Sequence, residues 1–315
     1  MRWTYNDILI ARDRLSGVAV RTPLLQLHES SSIWIKPEVL QPIGSFKIRG
    51  AYNAIAARIQ TGPLDEVTTL SAGNMSQAVA WSARRLGLRS TAIMPADAPE
   101  MKKSATRGYG ASIETIARSE IMTAMQDGRF NDRPGFIHPF NDPLVAAGNG
   151  TIGLEILEDL PDVDTVIVPV GGGSGVCGTA IVFKAMRPQT RIIAVQTENM
   201  PAVYESFHQR KLVALEGGST FAEGLATRVA FEAPFRIMQQ LVDDVVLVSE
   251  EEMRQAMVLL LDKAHLVAEG AGASSLAAAQ KMAGDLHGQK VGLIVSGGNV
   301  TLDTLRRAMV DEQPW

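Results

Sequence analysis

Short runs rich in β-branched residues alternate along this chain with longer helical stretches, and that alternation constrains the fold most. The runs Ser32–Lys36 (SIWIK), Glu66–Leu70 (EVTTL), Ser90–Met94 (STAIM) and Ser112–Ile116 (SIETI) read as strands. So do Thr165–Val170 (TVIVPV), Arg191–Gln196 (RIIAVQ), Asp244–Val248 (DVVLV) and Lys290–Val295 (KVGLIV). Helical patterns follow SAGN, to about Leu86, and follow GGGSG. Another opens at Ser249 with Glu252 three residues on, a capping box, and runs to about Ala264. Strands that are apolar almost throughout, spaced by helices, predict parallel sheets covered on both faces, an α/β fold. The turn-rich Asp127–Gly135 (DGRFNDRPG) is a candidate crossing between domains.

The chain has 315 residues, enough for one large or two modest domains. A net charge of −4 argues against a broad basic surface for nucleic acid. Cys177 is the single cysteine, so no internal disulfide forms, and a reducing, cytoplasmic home is expected. The first residues, MRWTYNDILIARDRL, lack a signal-peptide core. No apolar run reaches the roughly 18 residues needed to cross a bilayer.

Ligands of open α/β sheets bind beyond the carboxyl ends of strands. Three unusual turns lie at such ends. Pro169–Gly178 (PVGGGSGVCG) lets successive N–H groups converge before a helix, an anion cradle, or is a tight strand–helix turn with no ligand. Ser71–Gln77 (SAGNMSQ) offers Ser71, Asn74 and first-turn N–H groups to a carboxylate, or is plain helix capping. In Ile294–Val300 (IVSGGNV), Ser296 offers a neutral hydroxyl, or closes a simple turn. Lys47, in GSFKIRG, sits between apolar neighbours, where an amine is costly unless something uses it. An amine, a phosphate cradle, a carboxylate cradle and a neutral hydroxyl together suit pyridoxal 5′-phosphate and an amino acid. A rival reading takes Gly173, Gly175 and Gly178 as a dinucleotide motif with Glu198 as its ribose acid. It leaves Lys47 and SGGN unexplained.

The segments LQPIGSFKIRGA, SAGNMSQA, HPFNDP, AGNGTIGLEI, PVGGGSG and VSGGN resemble the serine/threonine dehydratases, pyridoxal-phosphate enzymes of fold type II. The likeness runs in order from about Ile8 to Leu305. It implies two open parallel-sheet α/β domains with the cofactor in the cleft between them. The large cofactor-binding domain would comprise residues 1–50 and 145–315, with a smaller mobile domain, 51–144, inserted in it. It implies a homodimer or homotetramer. With the chain ending at Trp315, it implies the short catabolic type without a regulatory tail.

Residue by residue, the resemblance assigns Lys47 to the Schiff base with the cofactor, and Phe46 to packing beside the ring. Gly171, Gly172, Gly173 and Ser174 would hold the phosphate, joined by Gly175. Asn74 would bond the ring hydroxyl and Ser296 the pyridine nitrogen. Ser71, Ala72, Gly73 and the Met75 backbone would line the substrate carboxylate. The implied reaction removes water from a β-hydroxy amino acid, giving a 2-oxo acid and ammonia. Lys47 would act as general base at Cα. A serine facing the pyridine nitrogen disfavours transamination. Racemases of this family carry a serine where Ala72 stands, so one-sided elimination is expected. Racemisation, β-replacement and non-catalytic nucleotide binding are the alternatives.

Met75, Ile43 and Asn149 stand where the family commonly has His, Thr and Gln. The first two put threonine in doubt and admit 3-hydroxyaspartate, phenylserine or a hydroxyectoine-derived amino acid. Met75 is equally read as core packing. Cys177 reads as a buried filler and His138 as structural. Some relatives bind a cation near the segment matching AEGLATRV. Glu223 remains, but Val229 replaces the later acid, and no metal is expected. Glu269, in AEGAGA, is expected to face the cleft near the cofactor, or simply to cap the next helix.

Overall fold

A computed structural model describes residues 3–28, 31–133 and 135–310. Residues 1–2, 29–30, 134 and 311–315 lie outside them. The strands are β1 (Leu25–Gln26), β2 (Ile33–Pro37), β3 (Glu66–Leu70), β4 (Arg89–Pro95) and β5 (Ser112–Ile116). Then come β6 (Phe136–Ile137), β7 (Thr165–Pro169), β8 (Arg191–Thr197), β9 (Asp244–Val248) and β10 (Val291–Val295). A six-stranded sheet has the order β1-β2-β10-β7-β8-β9, and a four-stranded sheet the order β5-β4-β3-β6. Every pairing is parallel except β1 with β2. Among the described residues no helix is long and apolar enough to cross a membrane.

The large sheet is covered on both faces because alternate residues point opposite ways. Ile167, Ile193, Leu293 and Val295 pack against the helices Glu250–Ala264 and Gly270–Lys281. Their neighbours Val166, Val168, Ile192 and Ile294 pack under Pro143–Asp159, Ser174–Met186 and Glu232–Leu241. The expected capping box is present, with Ser249 Oγ accepting from Glu252 N–H.

Connectivity places the crevices. From β7 the chain steps outward through β8 to β9, then returns to the other side of β7 as β10. The small sheet does the same, running β3, β4, β5 and then placing β6 on the far side of β3. At each reversal the turns beyond adjacent strands splay apart. The Asp127–Gly135 turns are not a crossing between sheets, because β6, which follows, still pairs with β3.

Arg49 anchors the helix Lys47–Ile59 from below. Its guanidinium meets Glu38 at 2.8 Å through two nitrogens and Glu155 at 2.6 and 2.9 Å. Lys36 reaches the same Glu155 at 2.6 Å. Two cations and two carboxylates thus neutralise one another out of water, which makes their burial tolerable. Burial works to lower the charge of Arg49, but Glu38 and Glu155 outweigh it and hold the guanidinium firmly protonated.

Candidate active site

The turn before Lys47 is tied to the turn after β10. Gly44 adopts φ +68°, and a Cβ there would lie 2.8 Å from Asn299 Oδ1. Gly44 O accepts from Gly298 N–H at 2.9 Å, and Phe46 N–H donates to Ser296 O at 3.0 Å. Lys47, the first residue of its helix, is thereby held beside Ser296 at the end of β10. Its ammonium lies 4.5 Å from the centre of the Phe46 ring and 5.7 Å from that of Phe140. Desolvation pulls its pKa from 10.5 down to about 8, against the opposing pull of Glu269.

Beyond β7, Gly171–Gly173 lead into the helix Ser174–Met186. A Cβ on Gly171 would lie 2.3 Å from Gly224 O, and one on Gly172 would lie 2.0 Å from the Phe140 ring. Gly173 sits at φ +98°, and a Cβ on Gly175 would approach the Phe46 ring to 3.2 Å. The turn therefore has room only for backbone, and the first-turn N–H groups behind it have no intrahelical acceptor. Gly178 has a different task. A Cβ there would lie 2.4 Å from Ala146 O, so this glycine lets two helices cross closely. Glu198 pairs with Lys281 at 3.1 Å. Both observations weaken the dinucleotide reading.

The turn after β3 closes the site from the small sheet. Ser71 Oγ accepts from Gly73 N–H at 3.2 Å, so that N–H is engaged locally. Asn74 Nδ2 donates to Glu269 Oε1 at 2.8 Å, and Asn74 Oδ1 accepts from Asn299 Nδ2 at 2.8 Å. Glu269 thus faces the cleft, as expected. Desolvation raises its pKa from 4.5 to about 7, moderated by the Asn74 bond. Met75 and Ile43 are buried in one apolar cluster with Ile48, Ala78 and Val79. Ala72 is half-buried against Ala92 and Met94.

His138 Nδ1 accepts from the N–H groups of Phe140 and Asn141, a turn-holding role. Glu223 pairs with Lys102, which joins a small-sheet helix to the large-sheet side, and Val229 packs beside Phe231. Cys177 is buried with Sγ 3.4 Å from Pro234 O, and desolvation pushes its thiol pKa far up. Phe140 and Asn149 gain a place at the site that their motifs alone do not assign. Phe140 is signalled only as part of HPFNDP, and Asn149 as part of AGNGTIGLEI and as a departure from the family's common Gln, with no role attached.

The donor set fits pyridoxal phosphate. It has an amine of lowered pKa, a glycine turn leading into Ser174 as a cradle for phosphate, a neutral hydroxyl at the neighbouring strand end, and aromatic rings beside the amine. Residues 15–297 match the model of the pyridoxal-phosphate dependent enzymes. The chain belongs to that family, and its cofactor is pyridoxal phosphate. It is 42% identical over 313 residues to the L-threonine ammonia-lyase of Thermotoga maritima, covering 96% of this chain and 77% of the relative. It superposes on the processed form of threonine deaminase isoform 2 from Solanum lycopersicum with a TM-score of 0.87 at 32% identity, covering 96% and 86% of the two chains. Maize serine racemase gives a TM-score of 0.88 at 31% identity, covering 98% and 97%.

Proposed function

We propose that this chain is an ammonia-lyase that removes water from a small β-hydroxy amino acid, threonine or serine, releasing a 2-oxo acid and ammonia. The observation that carries it is the placement of the Lys47 amine, its pKa drawn down to about 8, beside the glycine turn and Ser296. When bound, pyridoxal phosphate supplies an aldehyde for amines and an electron-withdrawing ring that acidifies Cα. Lys47 takes the Cα proton as general base. Residues Gly171, Gly172, Gly173, Ser174 and Gly175 hold the phosphate through backbone N–H groups and the Ser174 hydroxyl. Phe46 packs on the ring. Ser296 would pair with the pyridine nitrogen, where a hydroxyl would not keep a positive charge as a carboxylate would. Asn74 faces the ring hydroxyl. Ser71, Gly73 and the Met75 backbone receive the substrate carboxylate, which takes over the Gly73 N–H from Ser71 Oγ.

The likeness to a serine racemase favours a second reading, racemisation. Ala72 opposes it, since a methyl group carries no proton to the second face of Cα. The packing of Met75 and Ile43 in an apolar cluster removes the ground for doubting threonine. Residues 51–144 are taken as a mobile unit closing on residues 1–50 and 145–315, and the assembly as a homodimer or homotetramer.

Borohydride reduction of the loaded protein followed by peptide mass mapping tests this reading. The cofactor adduct is expected on Lys47, with 2-oxo acid release from threonine or serine that Lys47→Ala abolishes. An unmodified Lys47, or release that survives Lys47→Ala, overturns it.

A further inference from the structure

We propose that Asn149 is a positioning residue that fixes the direction of the Ser174 hydroxyl, turning it into a hydrogen-bond donor for the cofactor phosphate. This rests on the assignment of the Gly171–Gly175 turn to the phosphate.

Asn149 is fully buried in the helix Pro143–Asp159, between the starts of two other helices. Its Oδ1 accepts from Gly50 N–H at 3.0 Å, three residues beyond Lys47. Its Nδ2 donates to Ser174 Oγ at 3.2 Å. A backbone N–H only donates, so the atom facing Gly50 must be the amide oxygen. The amide therefore cannot turn over, and its NH₂ end must face Ser174. A hydroxyl has one proton and two lone pairs. One lone pair of Ser174 is taken by Asn149, so the proton points away from Asn149. Among the described residues no acceptor is recorded for that proton. Ser174 opens its helix directly after the glycine turn, where first-turn N–H groups converge on an anion. The polarity thus runs in one direction, from the Gly50 N–H through the amide to the Ser174 hydroxyl and on to the phosphate.

The same amide sets the spacing between the lysine helix and the phosphate turn. A Cβ on Gly50 would lie 2.7 Å from Asn149 Oδ1, so glycine is what permits the contact. Asn149 touches neither reacting atom nor substrate. It acts through Ser174 and through the helix that carries Lys47.

The experiment is a double-mutant cycle on cofactor affinity, read by titrating the apoprotein with pyridoxal phosphate and, separately, with pyridoxal. In Asn149→Asp a carboxylate accepts from both Gly50 N–H and Ser174 O–H, which turns the serine proton inward. The added charge repels the phosphate in either background, so it cancels in the ratio of penalties. The penalty of Asn149→Asp on pyridoxal phosphate affinity is expected to be about tenfold larger with Ser174 present than in Ser174→Ala. No such coupling is expected with pyridoxal, which has no phosphate. Should the buried aspartate unfold the chain, Asn149→Ala in the same pairing is expected to couple by about threefold. Equal penalties in both serine backgrounds, or equal coupling with both ligands, overturn the inference. An unsubstituted apoprotein that binds pyridoxal phosphate no better than pyridoxal overturns the phosphate assignment, and the inference with it. Normal preference for pyridoxal phosphate without coupling removes the inference alone.

Discussion

Asn74 and Glu269 come from different sheets and meet at 2.8 Å inside the cleft. Asn74 opens the helix after β3, and Glu269 immediately precedes the helix Gly270–Lys281 on the large sheet, its side chain making no capping bond there. Any separation of the two sheets must break this bond and expose a carboxyl that burial holds close to neutrality.

That carboxyl gives the apoprotein a pH signature. Glu269 is raised from 4.5 to about 7, so the folded chain holds its proton more tightly than the unfolded chain does. Stability is therefore lost as pH rises from about 4.5 through about 7. Lys47 is lowered from 10.5 to about 8, so the folded chain releases its proton first and gains stability between about 8 and 10.5. The thermal midpoint of Glu269→Gln is expected to lose the acid-side fall and to exceed that of the natural protein by a few degrees near pH 7.5. Parallel curves for the two proteins would show that the carboxyl is not held this way.

Removing Arg49 strands Glu38, while Glu155 keeps Lys36. Arg49→Leu is expected to cost about 3–5 kcal/mol in urea unfolding, because Glu38 stays buried without its cation. Arg49→Lys keeps the charge but loses the fork, and falls between the two. A cost under about 1 kcal/mol for Arg49→Leu would mean the network relaxes freely.

Met75 serves packing. Met75→Ala is expected to destabilise by about 2–5 kcal/mol, and Met75→Leu by less than about 1.5 kcal/mol. The ratio of kcat/KM for threonine over serine is expected to stay within about twofold in Met75→Leu, as about 1.4 kcal/mol of altered contact is needed for tenfold. A large change in that ratio would put the side chain against the substrate after all.

Ala72 sets the stereochemical outcome. Chiral chromatography of reaction mixtures is expected to find elimination far ahead of D-amino acid formation. Ala72→Ser supplies a hydroxyl and is expected to raise D-amino acid formation about tenfold or more, within the usual range for a placed acid. Rapid racemisation by the unsubstituted protein would contradict this.

The strands Glu66–Leu70, Ser112–Ile116 and Asp244–Val248 have the bounds that their local runs suggest. Continuous β-branched segments between glycines and charges leave little choice of ends. The pairs Leu25–Gln26 and Phe136–Ile137 escape a reading by pattern, because two residues carry no periodicity and β6 follows a turn-rich break. At the site, the individual turns are readable as loops with unusual glycine content. Their convergence depends on β10 lying between β2 and β7, a long-range pairing that no local pattern encodes. The roles of Phe140 and Asn149 are invisible for the same reason. Each meets a partner from a distant segment, the Phe140 ring lying where a Cβ on Gly172 would fall and the Asn149 amide bonding Ser174.

The chain's single thiol, sealed behind the Pro234 carbonyl, is also a ready-made clock. A thiol-reactive dye added to the intact protein is expected to stay colourless until the helix Ser174–Met186 comes away, so the labelling rate counts openings of that helix. Occupancy of the neighbouring turn by cofactor is expected to slow the clock, which measures ligand protection with no engineered probe.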